Sequence, residues 1–424
     1  MPESKKRKKA RGSKRGPRSM RRPDPKESVQ AVVRMARELV ELEEPLEAET
    51  WISGLLGTMF DRPEREAMDA FLEAILNHCE RSRTRESLAL LAGLAAVAPP
   101  PVAEHASAGA ERLRSQGVAD VAWGPLVGNA DFVGAWLLTH PLGDQDGVLL
   151  SFRHPGRAAH AFNVVVDHNL GGMAKDAVCT GDAQKVLSLW SREDPDAAAH
   201  PIDAAEAAGR LREALAATDQ TVEPPVSFDF VQLRALLEAR IRELPVGWEP
   251  EPFPEMSEPE RDALVEVFLS SAEAAGLGPD DEDAPARVVA EAIVAYRCGY
   301  ADGDPLRWSS IVAELFMLDW VPRKTNLPDE ALELLPDAVR AWVRYAGRRK
   351  GLAQRHVDET LAAVDRFEKE FTEAVHDPSR FGPAKQLVSA MLADGVELTD
   401  QAQVDEWIRA FNERPFQERK KILP

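Results

Sequence analysis

The sequence predicts an α+β protein that is mostly α-helical, and three observations support this class. The chain has 424 residues, of which 44% are hydrophobic and 29% charged, as in soluble globular proteins. Over most of its length apolar residues recur with the 3.6-residue period of a helix. Between residues 131 and 168 the period changes to two, in short stretches rich in β-branched and aromatic residues. We therefore predict N-terminal helices plus a small antiparallel β-sheet, followed by an all-α C-terminal domain.

The first predicted helix begins after Ser28, which can cap it, with Val32, Val33 and Met35 facing inward. The apolar run "LALLAGLAAVA" is far shorter than the roughly 20 residues that span a bilayer. It predicts a buried helix, and no membrane partner is expected. The other predicted helices of this part are "LEAETWISGLLGTMF", "RPEREAMDAFLEAILNHCERS" and "AEHASAGAERLRSQG", which ends at Gly117.

Three strands and three helices are predicted next. The strands are "DFVGAWLLTH", "GVLLSFRH" and "HAFNVVVDH", and the last two form a β-hairpin over about residues 146–168. After a strand-to-helix turn, the helices are "GDAQKVLSLWSR", "DAAEAAGRLREALAA" and "FDFVQLRALLEARIREL".

A proline-rich segment then predicts a domain boundary, since residues 245–260 contain five prolines and few apolar residues. Everything after it has a helical pattern, beginning with a capping box formed by Ser257 and Glu260. Near the end of the chain, Asp400 and Gln403 form a variant of the same box. The predicted organisation is a disordered basic arm (1–24), an α+β domain (25–244), a linker (245–258) and an all-α domain (259–424).

The hairpin carries three histidines, and its register decides which of them are neighbours. A five-residue loop "PGRAA" places His154 opposite His160 and Phe152 opposite Phe162. A two-residue Pro-Gly turn places Phe152 against Ala159 and buries less apolar surface. We therefore predict the five-residue loop.

This register divides the candidate metal ligands into two separate pairs. His154 and His160 lie at the loop end, whereas His168 lies near Asp146 at the other end. At about 3.3 Å per residue the two ends are about 26 Å apart, whereas all ligands of one metal lie roughly 2 Å from it. Neither pair offers three ligands by itself.

A metal site would need His140 or Cys179 to be brought in by the fold. We favour a structural hairpin with histidines at strand ends or on its rim, and we expect no cofactor and no catalytic residue. The alternative is a metal-dependent hydrolase that uses the region 140–179, although no known catalytic motif occurs in the chain.

The segment "NLGGMAKDA" suggests an anion site. Gly171 and Gly172 ahead of a helix, with Lys175 one turn later, would present backbone N–H groups to a phosphate. The phosphate-binding spacings GxxxxGK[ST] and GxGxxG are absent. The simpler interpretation is that Asn169 and the two glycines adopt positive φ in a strand-to-helix turn.

The strongest functional signal is the charge of residues 1–22. This segment has a net charge of +10, whereas the remaining 41 basic and 70 acidic side chains give −29. Dense cations bind polyphosphates by releasing counterions, with little sequence specificity. We predict that the arm tethers the chain to nucleic acid or to a ribosome. The predicted phosphate-binding residues are Lys5, Lys6, Arg7, Lys8, Lys9, Arg11, Lys14, Arg15, Arg18, Arg21 and Arg22.

The resulting hypothesis is a non-enzymatic intracellular interaction protein. The hypothesis also allows the chain to bind other proteins. Two alternative roles of the arm are a solubilising tail and a segment folded onto the acidic surface of the same chain. Cys79, Cys179 and Cys298 are odd in number and widely scattered, so we predict no disulfide framework and a cytoplasmic location.

Three segments resemble a family of uncharacterised proteins from high-GC Gram-positive bacteria. They are "VDHNLGGMAKDA", "LPDAVRAWVRYAG" and "LTDQAQVDEWIRAFNERP", and the similarity covers most of residues 30–415. The resemblance implies a cytoplasmic bacterial protein. It implies no activity and no catalytic residue.

Overall fold

The computed structural model describes residues 25–60, 65–193, 195–250, 255–279, 281, 284–420 and 422–423. It is 62% helical with one five-stranded antiparallel sheet, which confirms the predicted class. The predicted arm over 1–24 lies outside the described residues. The chain divides into two compact units, 1–129 and 130–424.

The described part of the first unit is helical, and the predicted helices are confirmed. They are α1 (Pro25–Met35), α2 (Arg37–Glu41), α3 (Pro45–Phe60), α4 (Arg65–Ser82), α5 (Arg85–Val97) and α6 (Pro100–Ser115).

The predicted start of the first helix is wrong. Because α1 begins four residues earlier, at Pro25, Ser28 lies inside the helix and does not cap it. The buried positions are Val29, Val32 and Ala36, at spacings of three and four residues, and Met35 is 53% exposed. The helix is therefore rotated relative to the predicted inward face.

Helix α5 is the buried helix that its apolar run predicts. Leu88, Leu91 and Leu94 are fully buried in it. Gly93 lies so close to α3 that a Cβ atom there would be 2.5 Å from Cγ1 of Ile52. A glycine at this position lets the two helices approach.

Burial raises the pKa of the Cys79 thiol in α4 to about 12. Since the thiolate is the nucleophile, we expect iodoacetamide to leave Cys79 unmodified in the native protein at mildly alkaline pH. Peptide mass spectrometry measures this. The same reaction in denaturant is the control and modifies Cys79 together with Cys179 and Cys298. Rapid native labelling of Cys79 would contradict the burial.

The second unit begins with the sheet, in the order β4-β3-β2-β1-β5 with every neighbouring pair antiparallel. The three predicted strands are confirmed, whereas β4 and β5 were not predicted. The strands are β1 (Asp131–Thr139), β2 (Gln145–Arg153), β3 (Ala159–Asp167), β4 (Met173–Thr180) and β5 (Ala198–Ile202).

The hairpin has a five-residue loop, but its register differs from the predicted one by two residues. Phe152 lies opposite His160 and Leu150 opposite Phe162, so the loop covers 154–158 rather than 155–159. Gly156 has a φ of +71° in this loop, a conformation that favours glycine. Because the shift is two residues, every side chain keeps its predicted face of the sheet.

Helices cover both faces of the sheet. Trp190 and Leu187 of α7 pack on the face that carries Leu138 and Leu149. On the other face, Arg240 of α9 lies over the ring of Phe152. The helices that follow or interrupt the strands are α7 (Ala183–Glu193), α8 (Ala204–Gln220) and α9 (Phe228–Arg242).

The remaining elements are helical, as predicted. Glu260 accepts the backbone N–H of Ser257 at 2.7 Å, so the predicted capping box is confirmed. Asp400 caps its helix by accepting the N–H of Gln403 at 3.3 Å. The helices are α10 (Glu258–Leu269), α11 (Pro285–Tyr300), α12 (Ser310–Glu314), which continues through a π-helical turn (Leu315–Trp320) into α13 (Val321–Lys324), α14 (Asp329–Lys350), α15 (Gln354–Ala374), α16 (Pro383–Ala393), α17 (Gln401–Glu413) and α18 (Phe416–Arg419).

The predicted boundaries at 244 and 258 lie within the second unit, and the predicted 25–244 domain spans both units. Residues 251–254 of the linker lie outside the described residues. An independent domain after the linker therefore stays a prediction.

Candidate functional site

The loop end of the hairpin holds a buried histidine pair. His154 and His160 are 1% and 3% exposed, and their rings stack with centroids 5.3 Å apart. The two histidines are neighbours as predicted, but they are not cross-strand partners, because His160 lies opposite Phe152. They are not on the rim, because α9 covers this face of the sheet.

Arg240 from α9 completes this cluster. Its Nη2 lies 3.3 Å from Nε2 of His154, and its guanidinium carbon lies 5.7 Å from the ring centroid of Phe152. Because arginine only donates hydrogen bonds, Nε2 of His154 is the acceptor in this contact. A cation at this nitrogen opposes metal binding there. The arrangement stabilises the packing of α9 on the sheet.

The opposite end of the hairpin holds the second predicted pair. Nε2 of His168 lies 2.9 Å from Oδ2 of Asp146, which confirms that they are neighbours. The adjacent Asp167 accepts from Lys175 at 2.5 Å and from Gln145 at 3.1 Å. Both carboxylates therefore have side-chain partners at this end of the sheet.

The predicted anion site has a different geometry. Gly171 and Gly172 have φ values of +73° and +76°, as the simpler interpretation expects, whereas the positive φ expected at Asn169 is wrong. Strand β4 follows the two glycines, and not a helix. The predicted strand-to-helix turn is therefore wrong. The helix N-terminus that the anion hypothesis needs is missing from this described segment, and Lys175 is paired with Asp167.

A buried polar network joins this end of the sheet to the loop between α11 and α12. We call it the Arg307 network, and Arg307 itself is 7% exposed. Its Nη1 donates to the carbonyl of Gly143 at 3.0 Å and to Asp144 at 3.2 Å. Its Nη2 donates to Asn169 at 2.8 Å, and its Nε donates to Asp302. One side chain thus connects two sheet turns with the helical region.

The same network extends further into the helical region. Asp302 also pairs with Arg297, which is 1% exposed. Burial lowers the pKa of Arg297, and the carboxylate of Asp302 opposes that shift. Ser309, the N-cap of α12, donates to Asp144 at 2.6 Å. Asp144 and Asp302 are therefore the counter-ions that permit two arginines to be buried here.

Another polar cluster, which we call the His356 cluster, consists of His140, Asp196, Arg355 and His356. Nε2 of His356 lies 3.0 Å from Oδ2 of Asp196, which also pairs with Arg355. The ring of His140 contacts that of His356 edge to face, with centroids 4.9 Å apart. The fold therefore brings His140 to another histidine, and not to the hairpin pairs.

The other candidate ligand, Cys179, lies in β4 opposite Phe162. Across the described ranges, no three His, Cys, Asp or Glu side chains are grouped as metal ligands would be. The metal-dependent hydrolase hypothesis therefore has no ligand set there. The eleven basic residues of the arm lie outside the described residues.

Sequence reasoning did not identify Arg307, Asp302, Asp196 or His356. Their partners are up to 165 residues away in the chain, and none of the four belongs to a known motif. The one local signal is the loop "ADGDPLRWSS", which contains Asp302 and Arg307. Apolar and charged residues are mixed in this loop without a helical period.

No protein-family model matches the chain, and neither does any curated protein or any solved structure. A membrane crossing needs about 20 consecutive apolar residues, and no helix in the described part of the chain meets that requirement.

Proposed function

We propose that this protein is a non-enzymatic interaction protein that is tethered to nucleic acid by residues 1–22. The observation that carries the proposal is the charge distribution, +10 in this segment against −29 in the rest of the chain. Eleven cations in 22 residues neutralise backbone phosphates and release counterions. The acidic remainder opposes wider contact, so the arm is the tether and the rest of the chain is what it delivers.

The environments of the histidines support the non-enzymatic part of the proposal. His154 contacts Arg240, His168 contacts Asp146, and His356 contacts Asp196. Each of these contacts joins two elements of the fold, which is a structural role. The proposal includes a bacterial cytoplasmic setting, supported by three free cysteines and by the alanine- and arginine-rich composition.

A salt titration of nucleic-acid affinity tests the tether. We expect the full chain to bind duplex DNA or RNA at low salt, with log Kd rising linearly with log salt concentration. The slope is about 0.9 per duplex phosphate contacted, so the eleven cations set an upper limit of about 10. A chain without residues 1–22 is expected to lose this binding. Fluorescence anisotropy with a labelled duplex measures both.

Two matched variants test whether nucleic-acid binding depends on the charge of residues 1–22 rather than on the length or the residue order of this segment. Changing all eleven basic residues to glutamine keeps the length and is expected to remove binding. Shuffling the order of residues 1–22 keeps the charge and is expected to preserve it, because phosphate contacts carry no sequence information. Equal affinity of the full and truncated chains, or no binding by either at low salt, contradicts the proposal.

A further inference from the structure

The connection between α4 and α5 carries three exposed arginines. Arg81 is in the last turn of α4, Arg83 lies between the two helices, and Arg85 begins α5. In the part of the chain that the structure describes, the side chains of Arg81 and Arg83 form neither an ion pair nor a hydrogen bond. Since the chain outside residues 1–22 has a net charge of −29, these adjacent unpaired cations are a local exception to its charge.

The end of α6 brings two more arginines to this connection. Nε of Arg114 pairs with Oδ2 of Asp120 at 2.7 Å, and Nη2 of Arg85 donates to the backbone carbonyl of the same Asp120 at 3.3 Å. Arg112 pairs at 3.0 Å with Glu80 in the last turn of α4. These two carboxylates engage the arginines of α6, which leaves the α4–α5 connection positively charged. We call this group the arginine patch, and it consists of Arg81, Arg83, Arg85, Arg112 and Arg114.

The backbone of Arg83 has a conformation that favours glycine. Its φ is +43°, in the left-handed region that many helices use for the residue after their last turn. A Cβ atom is unfavourable there, so glycine is the residue most often found at such positions. No side-chain contact with another described residue compensates this strain at Arg83. Uncompensated backbone strain of this kind is typical of residues whose side chains bind a ligand.

The arginine patch belongs to the same unit as residues 1–22. Nε of Arg37, two residues after the end of α1, lies 4.0 Å from Oε1 of Glu86 in the first turn of α5. The C-terminal end of α1 is therefore close to the patch. Helix α1 has 11 residues, which at 1.5 Å per residue is a length of about 16 Å. Since a segment of 22 residues extends up to about 75 Å, residues 1–22 and the patch can contact one stretch of duplex.

We propose that the arginine patch is a second phosphate-binding surface, which contacts the backbone of the same nucleic-acid duplex that residues 1–22 bind. This inference rests on the proposed function. A guanidinium group matches a phosphate with two parallel N–H donors and keeps its charge at physiological pH. Phosphate contacts fix the orientation of a protein on a duplex and carry no sequence information. The patch therefore orients the folded first unit on nucleic acid that residues 1–22 have captured.

A salt titration of duplex affinity with variants of the full chain tests the patch. The double variant Arg81→Gln/Arg83→Gln keeps residues 1–22 and removes two cations. Because each phosphate contact contributes about 0.9 to the slope of log Kd against log salt concentration, we expect the slope to fall by about 1.8 and the affinity at low salt to fall several-fold. The matched control is Arg348→Gln/Arg349→Gln, which removes two exposed arginines from the end of α14. This control is expected to keep the slope of the unmodified chain.

The Arg83→Gly variant separates binding from folding. Glycine relieves the left-handed strain, so we expect the midpoint of urea unfolding to rise while the slope of the salt titration falls by about 0.9. A residue with only a structural role does not move stability and affinity in opposite directions. If the full chain binds duplex and the double variant keeps its slope and affinity, the patch is overturned and the tether stands. If the full chain does not bind duplex at low salt, the tether and the patch are both overturned.

Discussion

Replacing Arg307 with methionine is expected to lower the free energy of unfolding by about 3–5 kcal/mol, the range for breaking a buried ion pair. The reason is the number of partners that one side chain satisfies. Without its guanidinium, Asp144 and Asp302 lose a counter-ion, and the carbonyl of Gly143 loses a donor. Methionine fills similar volume, so lost polar contacts account for most of the effect.

Urea unfolding followed by tryptophan fluorescence measures this change. The matched control is Arg323→Met, because Arg323 is 48% exposed and pairs with Asp319 four residues away on the same helical stretch. Exposed pairs of this kind contribute less than about 1 kcal/mol. If the two variants unfold at the same urea concentration, the Arg307 network does not stabilise the second unit.

Replacing Trp342 with alanine is expected to cost about 3–5 kcal/mol, the range for removing a large aromatic side chain from a core. Trp342 is fully buried in α14, and its ring lies 4.6 Å from that of Phe268 between centroids. Its Nε1–H also donates to the carbonyl of Pro305 at 3.0 Å. The variant therefore leaves a cavity and removes a hydrogen bond.

A conservative variant separates these two contributions. In Trp342→Phe most of the ring volume stays, and the Pro305 carbonyl still accepts from Trp308 at 3.0 Å. No buried acceptor is left without a donor there, so the hydrogen-bond part of the loss is expected to be only about 1 kcal/mol. Leu392→Ala, at a side chain that is 54% exposed, is the surface control and should change stability by less than about 0.5 kcal/mol. A loss in Trp342→Ala no larger than in this control contradicts the assigned packing.

The helices were predictable because their signals are local. Apolar spacing and caps, such as Ser257 with Glu260, depend on residues three or four positions apart. The first helix shows the limit of such signals. Ser28 is a good capping residue, but the helix begins at Pro25, a residue type that is favoured in the first turn.

The sheet was predictable only in part. Strand β4 contains Ala174, Lys175, Asp176 and Ala177, which have low β propensity, so its pairing with β3 determines its conformation. Strand β5 contains Pro201, which is tolerated because the strand lies at the sheet edge.

The hairpin register shows why burial patterns do not determine pairing. Alternation has a period of two, so the predicted and observed registers bury the same residues. We infer that the contacts of the hairpin with β1, β4 and α9 select the observed partners of Phe152 and Leu150.

The sequence by itself determined the helical class, most helix positions, the central three strands and the charge asymmetry between residues 1–22 and the rest of the chain. Tertiary structure decided where the polar side chains meet. Arg307 reaches Asp144 across 163 residues and His356 reaches Asp196 across 160, distances in sequence over which no local pattern operates. The physical reason is that a buried charge is stable only beside its counter-charge, and folding alone determines which two segments approach each other.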